Sequence, residues 1–199
     1  MSDINLNLIL AIFIGFGSTL IQSLTGFGLS IVSTPLFLMV YDPKQVVLIL
    51  QVICVVINIF FAIALRKNVD YRFLLILFIG SLLGQPLGLL IFQIAPNNIL
   101  KIFVSLIIFF FFFFLQLNHK KITETTLKTG ITGVLSGILT TATSMGGPPL
   151  ILYLANANRD KVSMRYACIA YFAITNISAI IIFLMGNTDF TFAIEQSIY

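Results

Sequence analysis

Thr25-Gly26-Phe27-Gly28-Leu29-Ser30-Ile31-Val32-Ser33-Thr34-Pro35-Leu36 interrupts the first long hydrophobic run of this chain, and Ser144-Met145-Gly146-Gly147-Pro148-Pro149-Leu150 interrupts a second. Neither segment carries a charge, and neither sustains a smooth helix. Glycine weakens a helix, and proline removes a donor and clashes one turn back. Inside a bilayer, broken backbone is tolerated only where protein buries it or where it lines a polar cavity. A pair of such breaks, one in each half, is the pattern expected around the substrate site of a secondary transporter.

Composition sets the environment. Of 199 residues, 59% are hydrophobic and 9% charged, with a mean hydropathy of +1.07. Soluble domains carry about a quarter charged residues, so the chain is an all-α, polytopic membrane protein whose principal partner is the lipid bilayer. All acids, lysines and arginines fall between the apolar runs or at their ends. The net charge of +4 therefore reflects basic loops that orient the protein, not nucleic-acid binding. Cys54 and Cys168 lie far apart within apolar spans and read as buried small hydrophobes. The single His119 sits beside Lys120 and Lys121 in a loop, so no metal site and no cofactor is expected.

The first run, Leu6–Val40, far exceeds the about 20 residues one crossing needs. It reads as a helical hairpin: a helix over Leu6–Leu24, a glycine turn, and a shorter helix to Val40. Spans are predicted at Val46–Leu65, Phe73–Ile94 and Ile99–Leu117. A polar linker, Asn118–Thr126, follows. A second glycine-broken run covers Leu127–Leu154, and one more span Tyr166–Met185. The parts are a first transmembrane repeat (1–117), a cytoplasmic linker (118–126) and a second repeat (127–199). In both repeats a broken segment leads to a charged turn and then to a span holding an asparagine, Asn58 or Asn176. The second repeat reads as incomplete, ending at Phe190–Tyr199 without the two further spans of the first.

Charge bias chooses the topology. If each broken run crossed once, basic residues would divide six against five between the two sides. If each run is a hairpin that returns, Arg66, Lys67, Arg72, Lys120, Lys121, Lys128, Arg159, Lys161 and Arg165 share one side, against Lys44 and Lys101. Only the second arrangement satisfies the positive-inside rule. It puts the N-terminus outside and makes the halves inverted repeats, with their hairpin tips meeting from opposite faces.

No carboxylate, lysine, arginine or histidine lies deep in a span, which argues against proton relays and metal permeases. A neutral polar set gathers near the breaks instead: Gln22, Ser23, Thr25, Ser30, Ser33, Thr34, Thr140, Thr141, Thr143 and Ser144, with Gln51, Asn58 and Asn176 on the following spans. Helix starts at the breaks would add unpaired N–H groups and a positive dipole end. The set suits a small oxyanion. The candidate substrate-binding residues are Thr25, Gly26, Phe27, Gly28, Ser144, Met145, Gly146, Gly147 and Pro148, with Asn58 and Asn176 in support. Packing explains the other small residues: Gly80, Gly84 and Gly88, and Gly133 and Gly137, carry the spacing of close helix contacts. The run Phe109–Phe114 covers every face of its helix and reads mainly as lipid-facing bulk. No HExxH or GxSxG is present, and Gly26-Phe27-Gly28 does not extend to GxGxxG, so no enzymatic motif stands.

Thr25-Gly26-Phe27-Gly28 with Pro35-Leu36, and Gly146-Gly147-Pro148-Pro149-Leu150 with Tyr153-Leu154, resemble the sulfite exporter TauE/SafE family. The resemblance spans most of Leu6–Met185. It implies a multi-pass protein of the bacterial or archaeal inner membrane that moves sulfite, an organosulfonate or a related small anion outward; a homo-oligomer is compatible with it. The alternative is a non-transporting membrane scaffold or accessory subunit, in which the breaks serve packing alone.

Overall fold

The computed structural model describes residues 2–26, 29–64, 70–117, 123–157, 160–188 and 190. Eight helices occupy them: α1 (Ser2–Thr25), α2 (Leu29–Phe37), α3 (Pro43–Ala64), α4 (Tyr71–Ile94), α5 (Asn97–Gln116), α6 (Thr126–Thr143), α7 (Gly147–Asn156) and α8 (Lys161–Met185). Four of these, α3, α4, α5 and α8, are long and apolar enough to cross a membrane, and they coincide with the four unbroken spans read from the sequence.

Both long runs break at their glycines. Gly26 takes φ +82° at the end of α1, and Ser144 takes φ 58° at the end of α6. Such left-handed residues end a helix by turning the chain. The α6–α7 run folds back on itself, since Thr129 near the start of α6 and Tyr153 near the end of α7 share a hydrogen bond of 2.9 Å. In the first run α2 lies along α3, with Ser30 beside Cys54 and Phe37 packed with Val46 and Leu50. Pro35 does not break α2, which contains it and ends two residues later at Phe37, short of the expected Val40. The last span begins earlier than Tyr166, because Asp160 caps α8 by accepting from the Ser163 N–H at 2.9 Å. Arg165 therefore lies within a helix, not in the loop before it.

The tightest contact joins α4 to α6. A Cβ added at Gly80 would meet the Gly130 carbonyl at 2.4 Å, at Gly84 the Val134 carbonyl at 2.2 Å, and at Gly88 the Ile138 carbonyl at 2.2 Å. From the opposite side, Gly133 faces the Leu77 carbonyl and Gly137 the Ser81 carbonyl at 2.3 Å each. The two backbones touch, as small residues permit in membranes. Thr141 Oγ1 adds a hydrogen bond of 2.8 Å to the Gln85 carbonyl.

Helix α8 fills the middle. Near its start Cys168, Tyr171 and Phe172 pack with Phe73 and Leu77 of α4 and Leu150, Tyr153 and Leu154 of α7. Near its end Phe183 packs with Phe92 of α4 and Val47 and Ile49 of α3. Helix α5 is peripheral. It turns Phe111 inward, 4% exposed, against the broken segments, while Phe109, Phe110, Phe112, Phe113 and Phe114 face outward. Amides and hydroxyls are inside, among them Gln22, Gln51, Asn58, Gln85, Thr140 and Asn176, and many large apolar side chains, such as Phe60 and Leu83, face outward. That distribution is what a lipid solvent selects.

Candidate functional site

Where α1, α2, α3, α6, α7 and α8 converge, the protein forms a small, partly open cavity of about 30 Å³. At roughly 10–15 Å³ per water this holds about two waters, or a ligand of a few heavy atoms. Its walls are Gln22, Leu29, Ser30, Ile31, Cys54 and Asn58 from the first half and Thr140, Ser144, Gly146, Gly147, Phe172 and Asn176 from the second. No lysine, arginine, histidine, aspartate or glutamate is among them.

Each polar wall residue is held by neighbours. Gln22 Nε2 donates to Asn58 Oδ1 at 2.6 Å, and Asn58 Nδ2 donates to the Cys54 carbonyl at 2.7 Å. Ser30 Oγ and Cys54 Sγ lie 3.1 Å apart and share one proton. Thr140 Oγ1 donates to the Ser136 carbonyl at 2.8 Å, and Ser136 Oγ donates to the Gly146 carbonyl at 2.6 Å, which ties the break before α7 to α6. Gln51 Nε2 donates to both the backbone carbonyl and Oδ1 of Asn176 at 3.1 Å each, and Ser144 Oγ donates weakly to Gln51 Oε1 at 3.4 Å. Behind these, Gln85 Nε2 donates to the Thr175 carbonyl at 2.9 Å and exchanges bonds with Ser178 Oγ.

Five of the candidate residues line the cavity: Asn58, Ser144, Gly146, Gly147 and Asn176. Four of the others do not. Thr25 is exposed and donates to the Ile21 carbonyl at 2.8 Å. Gly26 is buried against α8, where an added Cβ would meet Arg165 Cγ at 2.8 Å and its carbonyl at 2.9 Å. Met145 packs into the apolar cluster with Ile31, Val104 and Phe111. Pro148 is buried in the first turn of α7, away from the cavity wall. Phe27 and Gly28 lie outside the described residues.

Two features were not picked out from the sequence. Cys54 read as a buried small hydrophobe and Phe172 was not singled out, yet both line the cavity. The first turn of α7 is also poorer in donors than a helix start usually is. Of the four N–H groups that a helix leaves unpaired there, those at positions 148 and 149 do not exist, because both residues are proline. Side-chain hydroxyls and amides, more than the α7 backbone, supply the polar wall. What this wall can do is solvate a small, weakly charged group with neutral donors and acceptors. It holds no general base and no carboxylate, and among the described residues no three His, Cys, Asp or Glu side chains gather as a metal site.

A search of curated proteins and a search of solved structures each found no significant match. The family model described as sulfite exporter TauE/SafE matches residues 11–196, which takes in both hairpins and every wall of the cavity. The chain belongs to the sulfite exporter TauE/SafE family, and so to a family of membrane transporters.

Proposed function

We propose that this protein carries a small sulfur oxyanion, sulfite or an organosulfonate, outward across the cytoplasmic membrane, and that the cavity is its binding site. The observation that carries this reading is the convergence of the two broken segments, from opposite halves of the chain, on one small cavity whose lining has amides and hydroxyls but no charge. A site with neutral donors releases its ligand easily, as turnover requires. Residues 1–117 and 127–199 are then inverted repeats joined by the linker 118–126. Their hairpins enter from opposite faces, and alternating access is a rocking of one repeat against the other about the cavity. By the positive-inside rule the end carrying Arg72, Lys128 and Arg165 is cytoplasmic and the N-terminus extracytoplasmic.

The test is ligand-dependent stability of the purified protein. Sulfite or methanesulfonate at a hundredfold excess over its dissociation constant should stabilise the folded state by about 2.7 kcal/mol. Gly147→Leu should remove that response, because Ile31 Cδ1, Ile151 Cδ1 and Phe172 Cζ already lie 3.3–3.8 Å from the Cβ position, so the longer side chain fills the cavity. The same variant should insert in the membrane and fail to empty sulfite-loaded proteoliposomes. A folded wild type that responds to no anion would favour a scaffold role.

A further inference from the structure

The hydrogen bonds around the cavity fix which way its amides point, and that orientation describes the ligand more closely. A backbone carbonyl can only accept. The Cys54 carbonyl lies 2.7 Å from Asn58 Nδ2, so the Asn58 amide must turn its NH₂ there and its Oδ1 the other way. That Oδ1 takes a proton from Gln22 Nε2. The Gln22 NH₂ is thereby committed, and its Oε1 occupies the other side of the amide, in a residue that is 2% exposed and lines the cavity. In the second half, Gln51 Nε2 sits 3.1 Å from both the backbone oxygen and Oδ1 of Asn176. The two protons of that NH₂ serve two acceptors. Turning the Asn176 amide over would set NH₂ against NH₂. Asn176 therefore keeps Oδ1 on Gln51 and leaves Nδ2 on the other side, again in a residue of the cavity wall. Among the described residues neither Gln22 Oε1 nor Asn176 Nδ2 has a hydrogen-bond partner.

One half of the site thus offers an acceptor and the other a donor. A bare anion has no proton for Gln22 Oε1, and a fully neutral acid has no charge to reward Asn176. The lack of any cation in the wall points the same way. The Born cost of moving an ion into a poorly polarisable site grows with the square of its charge, so an uncharged wall penalises a dianion far more than a monoanion.

Resting on the transporter reading above, we infer that the cavity takes sulfite in its singly charged, still protonated form, with the O–H donated to Gln22 Oε1 and an unprotonated oxygen accepting from Asn176 Nδ2. Gln51 is then a positioning residue that sets Asn176 as a donor.

The experiment is calorimetric titration of the whole purified chain with sulfite, methanesulfonate and sulfate. The titrations are repeated across the pH range in which sulfite loses its second proton. The apparent affinity for total sulfite should fall about tenfold per pH unit above that ionisation, as one-proton linkage requires. Methanesulfonate, a monoanion with no proton to give, should bind more weakly than sulfite at the acid end and show no such slope, and sulfate should not bind. In Gln22→Met the ratio of sulfite to methanesulfonate affinity at the acid end should collapse toward one. A sulfite affinity that is flat or rises with pH would overturn the inference, as would sulfate binding on a par with sulfite, or a Gln22→Met protein that keeps the wild-type ratio. If that variant does not fold, the wild-type pH profile alone decides. A folded wild type that binds none of the three anions at any pH overturns the site itself, and this inference with it.

Discussion

Gly84→Ala tests the α4–α6 contact that the rest of the bundle is packed around. The added Cβ would lie 2.2 Å from the Val134 carbonyl oxygen and 3.0 Å from the Ile138 nitrogen. These are backbone atoms inside α6, so no side chain can swing aside, and the helices must separate by about 1 Å to restore ordinary contact. Overpacking of this kind costs about 1–3 kcal/mol. Separation also stretches the 2.8 Å bond from Thr141 to the Gln85 carbonyl, which adds about 0.5–1.5 kcal/mol. The expected loss is about 1.5–4.5 kcal/mol. Gly130→Ala is the matched control, since nothing lies within 4 Å of its Cβ position and it carries the same change in helix propensity. The assay is equilibrium unfolding in mixed micelles, followed by far-UV circular dichroism with increasing SDS. If Gly84→Ala and Gly130→Ala unfold within about 0.5 kcal/mol of each other, smaller than any overpacking cost, the helices are not in backbone contact and the reasoning fails.

Three further outcomes follow from the same geometry. Gln85→Met should lower stability by about 1–3 kcal/mol, because it strips partners from Ser178 and the Thr175 carbonyl, yet leave sulfite affinity within about twofold, a binding change below roughly 0.5 kcal/mol. Titrating the folded variant checks both parts. Gly26→Ala should cost at least about 1–2 kcal/mol from its positive φ alone, with more from the clash against the Arg165 backbone, and the same SDS titration measures it. Phe111→Ala should cost about 1–3 kcal/mol, the cavity part of a large-to-small change, since lipid is as apolar as the core and the transfer part vanishes. Phe112→Ala, on the outward face at 54% exposed, should be near neutral in the same assay.

Much of the architecture was readable without coordinates, because a bilayer leaves the chain few choices. Long apolar runs must be helices, and charged residues must sit at their ends. The spacing of Gly80, Gly84 and Gly88 announced a close helix contact, though not that α6 was the partner. The site was readable only in part. Ser144, Gly146, Gly147, Asn58 and Asn176 could be found because they sit at the breaks or recur in both halves. Gln22, Ser30 and Thr140 were only members of a longer polar list, in which Ser23 and Ser33 had equal standing. What separates them is register: Gln22 meets Asn58 because of how α1 is set against α3, and Ser30 meets Cys54 because of how far α2 slides along α3. No local pattern encodes that. Cys54 was missed for the same reason, and the expectation of a donor-rich helix start at α7 overlooked that its prolines have no N–H to offer.

The uncharged wall of the cavity has an electrical consequence. A carrier whose site holds no fixed charge moves empty as a neutral body and loaded as an ion of its ligand's charge. Each turn that releases one monoanion therefore shifts one elementary charge, unless a counter-ion travels with it. Across a membrane held negative inside, that shift is favourable for an anion going out by about 2.3 kcal/mol per 100 mV. On this account the resting voltage alone drives outward flow against a modest concentration gradient, and a collapse of the voltage slows the carrier without touching its site.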